Sequence, residues 1–151
     1  MPNWCVGTLK VRGKIEDLKR FVLEGLQPVD FLGEQRPPLK LDKYGYCEYD
    51  DSCWIENTHR GFAYDLYIYF DDEEEDEPQV IGLNSKFAWG IDAKQLQETC
   101  KKYNVDMKIY AFERGMEFNQ DIEIVNGEIV KDDKITFDDY EWECINPIIG
   151  G

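Results

Sequence analysis

Three side chains between positions 47 and 59 carry metal-ligating chemistry. Cys47, Cys53 and His59, the single histidine of the chain, follow one another at five-residue gaps. Thiolate and imidazole are ligands that zinc prefers, and Glu48, Asp50 or Asp51 could add a carboxylate. One expectation is therefore a zinc-stabilised interaction domain. Its spacings are wider than the two- to four-residue steps common in zinc sites, which places it second. The stronger chemical signal is charge. Asp71, Asp72, Glu73, Glu74, Glu75, Asp76 and Glu77 form an unbroken run of carboxylates, and Asp50-Asp51 adds a shorter one. Like charges at this density repel and belong in a solvated loop. Across the chain 32 Asp and Glu face 17 Lys and Arg, a formal net charge of -15. Such a surface repels nucleic-acid phosphates and anionic membranes and favours basic partners. The plainer reading of the run is a hairpin tip that aids solubility.

Other chemistries lack their motifs. The only serines, Ser52 and Ser85, stand outside any Gly-x-Ser-x-Gly, and neither a P-loop nor Gly-x-Gly-x-x-Gly occurs. No pair of carboxylates is singled out by spacing as acid and base. A non-enzymatic protein is expected. Tyr64, Tyr67, Tyr69 and Tyr110 resemble a base-stacking platform, but the excess of carboxylates argues against direct nucleic-acid binding, so they read as sheet packing. The five cysteines, an odd number without a secretory pattern ahead of them, read as free thiols, with Cys5 and Cys100 as small core residues. No apolar run approaches the roughly 20 residues of a membrane span, and the expected compartment is the cytoplasm.

These residues need a scaffold. The 151 residues suit one domain, and 42% hydrophobic with 14% aromatic residues excludes global disorder. Trp4 to Gly13 alternates as a strand. Ile15, Leu18, Val22 and Leu26 give Lys14 to Leu26 a helical stripe that Gly25 and Pro28 terminate. Residues 27–60 hold Pro28, Pro37-Pro38, Gly33 and Gly45 and read as an irregular acidic insertion. Phe62 to Phe70 is a strand, with Tyr64, Leu66, Ile68 and Phe70 on one face and Ala63, Tyr67 and Tyr69 on the other. Asp92 caps a helix that runs to Tyr103. Asp106 to Glu113 is a strand, and Asn126-Gly127 marks a two-residue hairpin. An acidic, aromatic tail follows. The order predicts an α+β protein: a ferredoxin-like split βαβ sandwich whose antiparallel sheet carries two helices on one face, with a C-terminal hairpin and tail.

The opening Met-Pro-Asn-Trp-Cys-Val-Gly-Thr-Leu-Lys-Val-Arg-Gly resembles the start of the YubB-like family of phage and plasmid proteins. Ala88-Trp89-Gly90-Ile91-Asp92-Ala93 is similar to a second family segment, although the second Trp and the Thr-Lys of that segment are missing here. Tyr110-Ala111-Phe112-Glu113-Arg114-Gly115-Met116-Glu117-Phe118 resembles a third, with Asn119-Gln120 where a Gly is common. The resemblance implies a ferredoxin-like domain and a mobile-element origin. The family has no settled enzymatic activity, so no catalytic residue carries over. Trp4 is expected to anchor the first strand and Gly115 to permit a tight turn.

Joined to the charge, this resemblance predicts a phage or mobile-element inhibitor, of anti-CRISPR or anti-restriction type. It would act in the host cytoplasm on a basic, nucleic-acid-binding defence protein. Asp50, Asp51 and the run from Asp71 to Glu77 would present negative charge as phosphates do.

Overall fold

The computed structural model describes residues 1–74 and 76–151, and of Glu74 only the backbone. The protein is α+β, with eight antiparallel strands in one sheet and few helices. The strands are β1 (Trp4–Gly13), β2 (Leu26–Pro28), β3 (Tyr46–Ile55), β4 (Gly61–Tyr69), β5 (Gln79–Ala88), β6 (Asp106–Glu113), β7 (Phe118–Val125) and β8 (Glu128–Thr136). Across the sheet they run β2-β3-β4-β5-β1-β6-β7-β8. Helix α1 (Ile15–Arg20) continues into one wider π turn over Phe21–Gly25. Helix α2 (Ala93–Tyr103) lies between β5 and β6, and the short α3 (Tyr140–Glu143) follows β8.

Apolar alternation decides which side of the sheet is covered. Cys5, Leu9 and Val11 of β1, Ile81, Leu83 and Phe87 of β5, and Met107 and Ile109 of β6 are buried. They share one core with Ile15, Leu18 and Phe21 of the first helical segment and Leu96 and Cys100 of α2. Burial of such side chains contributes about 1.5–3 kcal/mol each. The intervening Trp4, Val6, Thr8, Lys10 and Arg12 therefore lie on the opposite, open face.

Several sequence expectations hold. β1 and β6 have the expected limits. The Asp92 side chain caps α2 by accepting from Lys94 N at 3.0 Å. Asn126 and Gly127 both take positive φ, 52° and 76°, as a tight two-residue hairpin requires. Cys5 and Cys100 are core residues.

Four expectations need correction. The sheet has twice the strands of a four-stranded ferredoxin-like core. Residues 27–60, expected to be irregular, contain part of β2 and the whole of β3. β5, with no strand expected there, is ten residues long and supplies the partner of β1 along its whole length, from Trp4↔Ala88 to Gly13↔Gln79. Gly82, Asn84, Ser85 and Lys86 dilute its hydrophobicity, although Ile81, Leu83 and Phe87 keep the alternation. The faces of β4 also differ from a strict period of two. Asp65 sits at φ 49°, and opposite it Asp50 and Asp51 form a bulge between the pairs Tyr49↔Leu66 and Ser52↔Tyr64. One extra step of chain puts Ala63 in the core with Leu66, Ile68 and Phe70, and turns Tyr64, Tyr67 and Tyr69 outward.

Candidate functional site

The carboxylates expected to bind a partner occupy two places on the β3–β4–β5 arm. Asp50 and Asp51 are the bulge residues of β3, both exposed. The second group connects β4 to β5. The two are not one cluster: Tyr46 pairs with Tyr69 beside the loop, and Asp50 lies four residues further along, about 13 Å. Within the loop, two carboxylates have structural partners. The Asp71 Oδ1 accepts from Glu73 N at 3.1 Å, and Asp72 bridges to Lys19 at 2.5 Å. Glu73, Asp76 and Glu77 are exposed. Glu75 and the Glu74 side chain lie outside the described residues.

Cys47 and Cys53 are buried on the core side of β3, opposite Ile68 and Ala63, whereas His59 is exposed in the β3–β4 turn. Burial pushes both thiols up, Cys53 to about 12, so both hold their protons at neutral pH. Zinc takes thiolates, and no group of three or more His, Cys, Asp or Glu is placed to hold a metal among the described residues.

A feature not anticipated from the sequence lies at the centre of the open face. A groove of about 350 Å³ is lined by Val6, Thr8, Lys10, Tyr64, Asn84, Lys108, Tyr110 and Phe112, with Ile149 of the tail at its border. The β1–β6 ladder passes from Gly7↔Ala111 to Lys10↔Lys108 without pairing Thr8 or Leu9. Gly7 allows this approach: a Cβ there would lie 2.5 Å from the Tyr110 carbonyl oxygen. Tyr110 is held in place, because Asn119 Nδ2 donates to its hydroxyl at 3.1 Å while Tyr140 donates to Asn119 Oδ1 at 2.7 Å. Phe112 meets the Tyr110 ring edge-on at 5.2 Å. Beside the groove, Lys86 Nζ stands 5.0 Å from the Trp4 ring centre and 5.5 Å from that of Tyr64, and Arg60 Cζ lies 5.7 Å from the Trp4 ring centre. Only the individual tyrosines signalled this surface in the sequence, and the overall charge pointed away from it.

The three stretches that carry the family resemblance meet at one end of the sheet. The Asn3 carbonyl accepts from Trp89 N at 2.8 Å. A Cβ on Gly115 would fall 2.5 Å from Asn3 Nδ2, so this glycine serves a close approach rather than a positive φ. The buried Glu113 carboxylate accepts from Gly115 N and Met116 N at 2.7 and 3.0 Å, closing the turn. Gln120 Oε1 accepts from Ile91 N at 2.8 Å, and its Nε2 donates to Ile91 O at 3.0 Å. Trp4 is also anchored, through Gly151 N donating to its carbonyl at 2.9 Å. These contacts satisfy buried polar groups and read as a structural brace.

Comparison with protein-family models, curated proteins and solved structures gives no significant match. Among the described residues no helix is long and apolar enough to cross a membrane.

Proposed function

We propose that the chain is a non-enzymatic binding protein that offers carboxylates to the basic groove of a nucleic-acid-binding partner. Its concrete form is a phage or mobile-element inhibitor of a host-defence nuclease, acting in the host cytoplasm. The observation that carries this reading is the β3 bulge. It holds Asp50 and Asp51 side by side and exposed on a sheet, with no ion pair to either among the described residues. A rigid strand displays charge at a lower entropic cost than a loose tail would. Glu73, Asp76 and Glu77 extend the display at the loop.

A ferredoxin-like core belongs to the same proposal. The inner order β4-β5-β1-β6, with a helix after β1 and another after β5, supports it, the remaining strands being additions at each edge. The meeting of Asn3, Trp89 and Gly115 supports kinship with the YubB-like proteins, because it gives the three similar stretches one shared structural task.

The test is capture of partners from host lysate by the tagged chain at low salt and at about 0.5 M, where screening shortens to a few ångströms. The expected result is a nucleic-acid-binding protein retained at low salt, displaced by added DNA or RNA, and lost with Asp50→Asn/Asp51→Asn. Retention indifferent to salt, nucleic acid and these substitutions would remove the carboxylates from the mechanism.

A further inference from the structure

The carboxylate arm leaves the open-face groove unexplained, and its chemistry has the opposite sign. Its lining contains Lys10 and Lys108 and no Asp or Glu, in a chain with nearly two carboxylates for each cation. Lys86 and Arg60 stand next to it. Among the described residues Lys10, Lys86 and Arg60 have no carboxylate within ion-pair distance; Lys108 shares Glu123 at 3.3 Å. Cations with no ion-pair partner, around the exposed Tyr110 and the half-buried Trp4, Tyr64 and Phe112 rings, form a surface complementary to an anion that also carries a flat apolar face.

We infer that this groove binds a short single-stranded nucleic-acid segment, with bases against Tyr64, Tyr110 and Phe112 and phosphates toward Lys10, Lys86 and Lys108. Tyr64 on β4 and Tyr110 on β6 are three strand steps apart, about 14 Å, a span that suits two or three bases on a sheet. The Asn119 hydrogen bond fixes the Tyr110 ring before any ligand arrives, which lowers the entropic cost of stacking. Asn84 and Thr8 present exposed polar groups between the rings. A duplex would keep its bases paired and offer the rings nothing to stack on.

The net charge opposes this binding less than its size suggests. Measured from Lys10 on β1, Asp50 and Asp51 on β3 and the carboxylates of β8 are three strand steps away, about 14 Å, beyond the ~8 Å screening length at physiological salt; at the Tyr64 edge β3 is the neighbouring strand, and Asp50 and Asp51 oppose binding there. Nearer carboxylates are engaged: Asp106 with Arg12 at 2.7 Å, Asp121 with Lys131 at 3.2 Å, and Glu123 with Lys108. Exposed Asp65, beside Tyr64, limits the site to a short segment and to modest affinity.

Fluorescence anisotropy with labelled single-stranded DNA and RNA of about eight nucleotides tests the inference, with a hairpin duplex as comparison. Three phosphate contacts predict binding that falls with salt at a log–log slope of about −2. Tyr110→Ala and Lys10→Glu should each weaken binding roughly tenfold, and Tyr110→Phe should retain it. Lys10 is exposed, so its variant decides the matter should Tyr110→Ala fold poorly. Asp50→Asn/Asp51→Asn should bind at least as tightly as the parent, the opposite of their expected effect on capture of a basic partner, which separates this site from the carboxylate arm. Absence of binding at 50 mM salt, equal binding of duplex, or Lys10→Glu binding like the parent would overturn the assignment.

Discussion

The central groove and the carboxylate arm are built from the same sheet in opposite ways. The groove lies over four long inner strands, with Tyr110 tied to Asn119 and Lys86 set between two rings. The arm places its charges where the ladder is interrupted, at the β3 bulge and at the tip joining β4 to β5. On the inner strands, side-chain ties and close approach position rings and cations even where the β1–β6 ladder skips Thr8 and Leu9; the bulge and the loop release carboxylates to solvent, where their repulsion is smallest. Total charge therefore describes the arm and conceals the groove.

If the groove depends on tight strand approach, its floor should be far more sensitive to substitution than the arm. Gly7→Ala forces a Cβ against the Tyr110 backbone, and a loss of about 2 kcal/mol is expected, lowering Tm by roughly 4–8 °C in a thermal melt. A Tm within a degree of the parent would mean that the β1–β6 approach is easily relaxed. Next is the brace on the core side of the sheet. Gln120→Leu strands the Ile91 N–H and carbonyl, at a cost of about 1–3 kcal/mol by denaturant titration.

Glu56, just beyond β3, gives a smaller effect that depends on pH. It accepts hydrogen bonds from Lys102 and the Tyr103 hydroxyl. Burial raises its pKa, but these two hydrogen bonds and the Lys102 charge outweigh that and hold it below the ordinary 4.5. A depressed native value means that its stabilisation is present above pH 4.5 and is lost as pH falls through the native value. Glu56→Gln should therefore lower Tm at pH 7, and the difference from the parent should shrink progressively as pH falls below 4.5; a constant difference across that range would show that charge is not the cause. The smallest change is expected on the arm. Asp50→Asn/Asp51→Asn should shift stability by no more than about 0.5 kcal/mol, and a large loss would make the bulge a structural necessity rather than a display.

Much of the local structure was legible. Leu9 and Val11 alternating with charged residues marked β1; Asp92 and the Leu96–Cys100–Tyr103 stripe marked α2; Asn126-Gly127 marked the last hairpin. In each, the local preference and the buried face agree. Elements held mainly by their neighbours were harder to read. β5 has a diluted pattern and is fixed by pairing with β1 along all ten residues. The faces of β4 could not be assigned by counting, because Asp65, at positive φ opposite the β3 bulge, shifts the period within the strand.

The same division applies to the sites. Where carboxylates are dense, and that they must face solvent, follows from the order of residues alone, since repulsion between neighbours needs no knowledge of the fold. That order also determined the thiols, but not that Cys47 and Cys53 point into the core while His59 stands outside. Only the tertiary structure brought Lys10, Lys86, Lys108, Tyr64 and Tyr110 from four different strands onto one face. Residues up to 100 positions apart became neighbours through strand order, a long-range property that short-range spacing cannot encode.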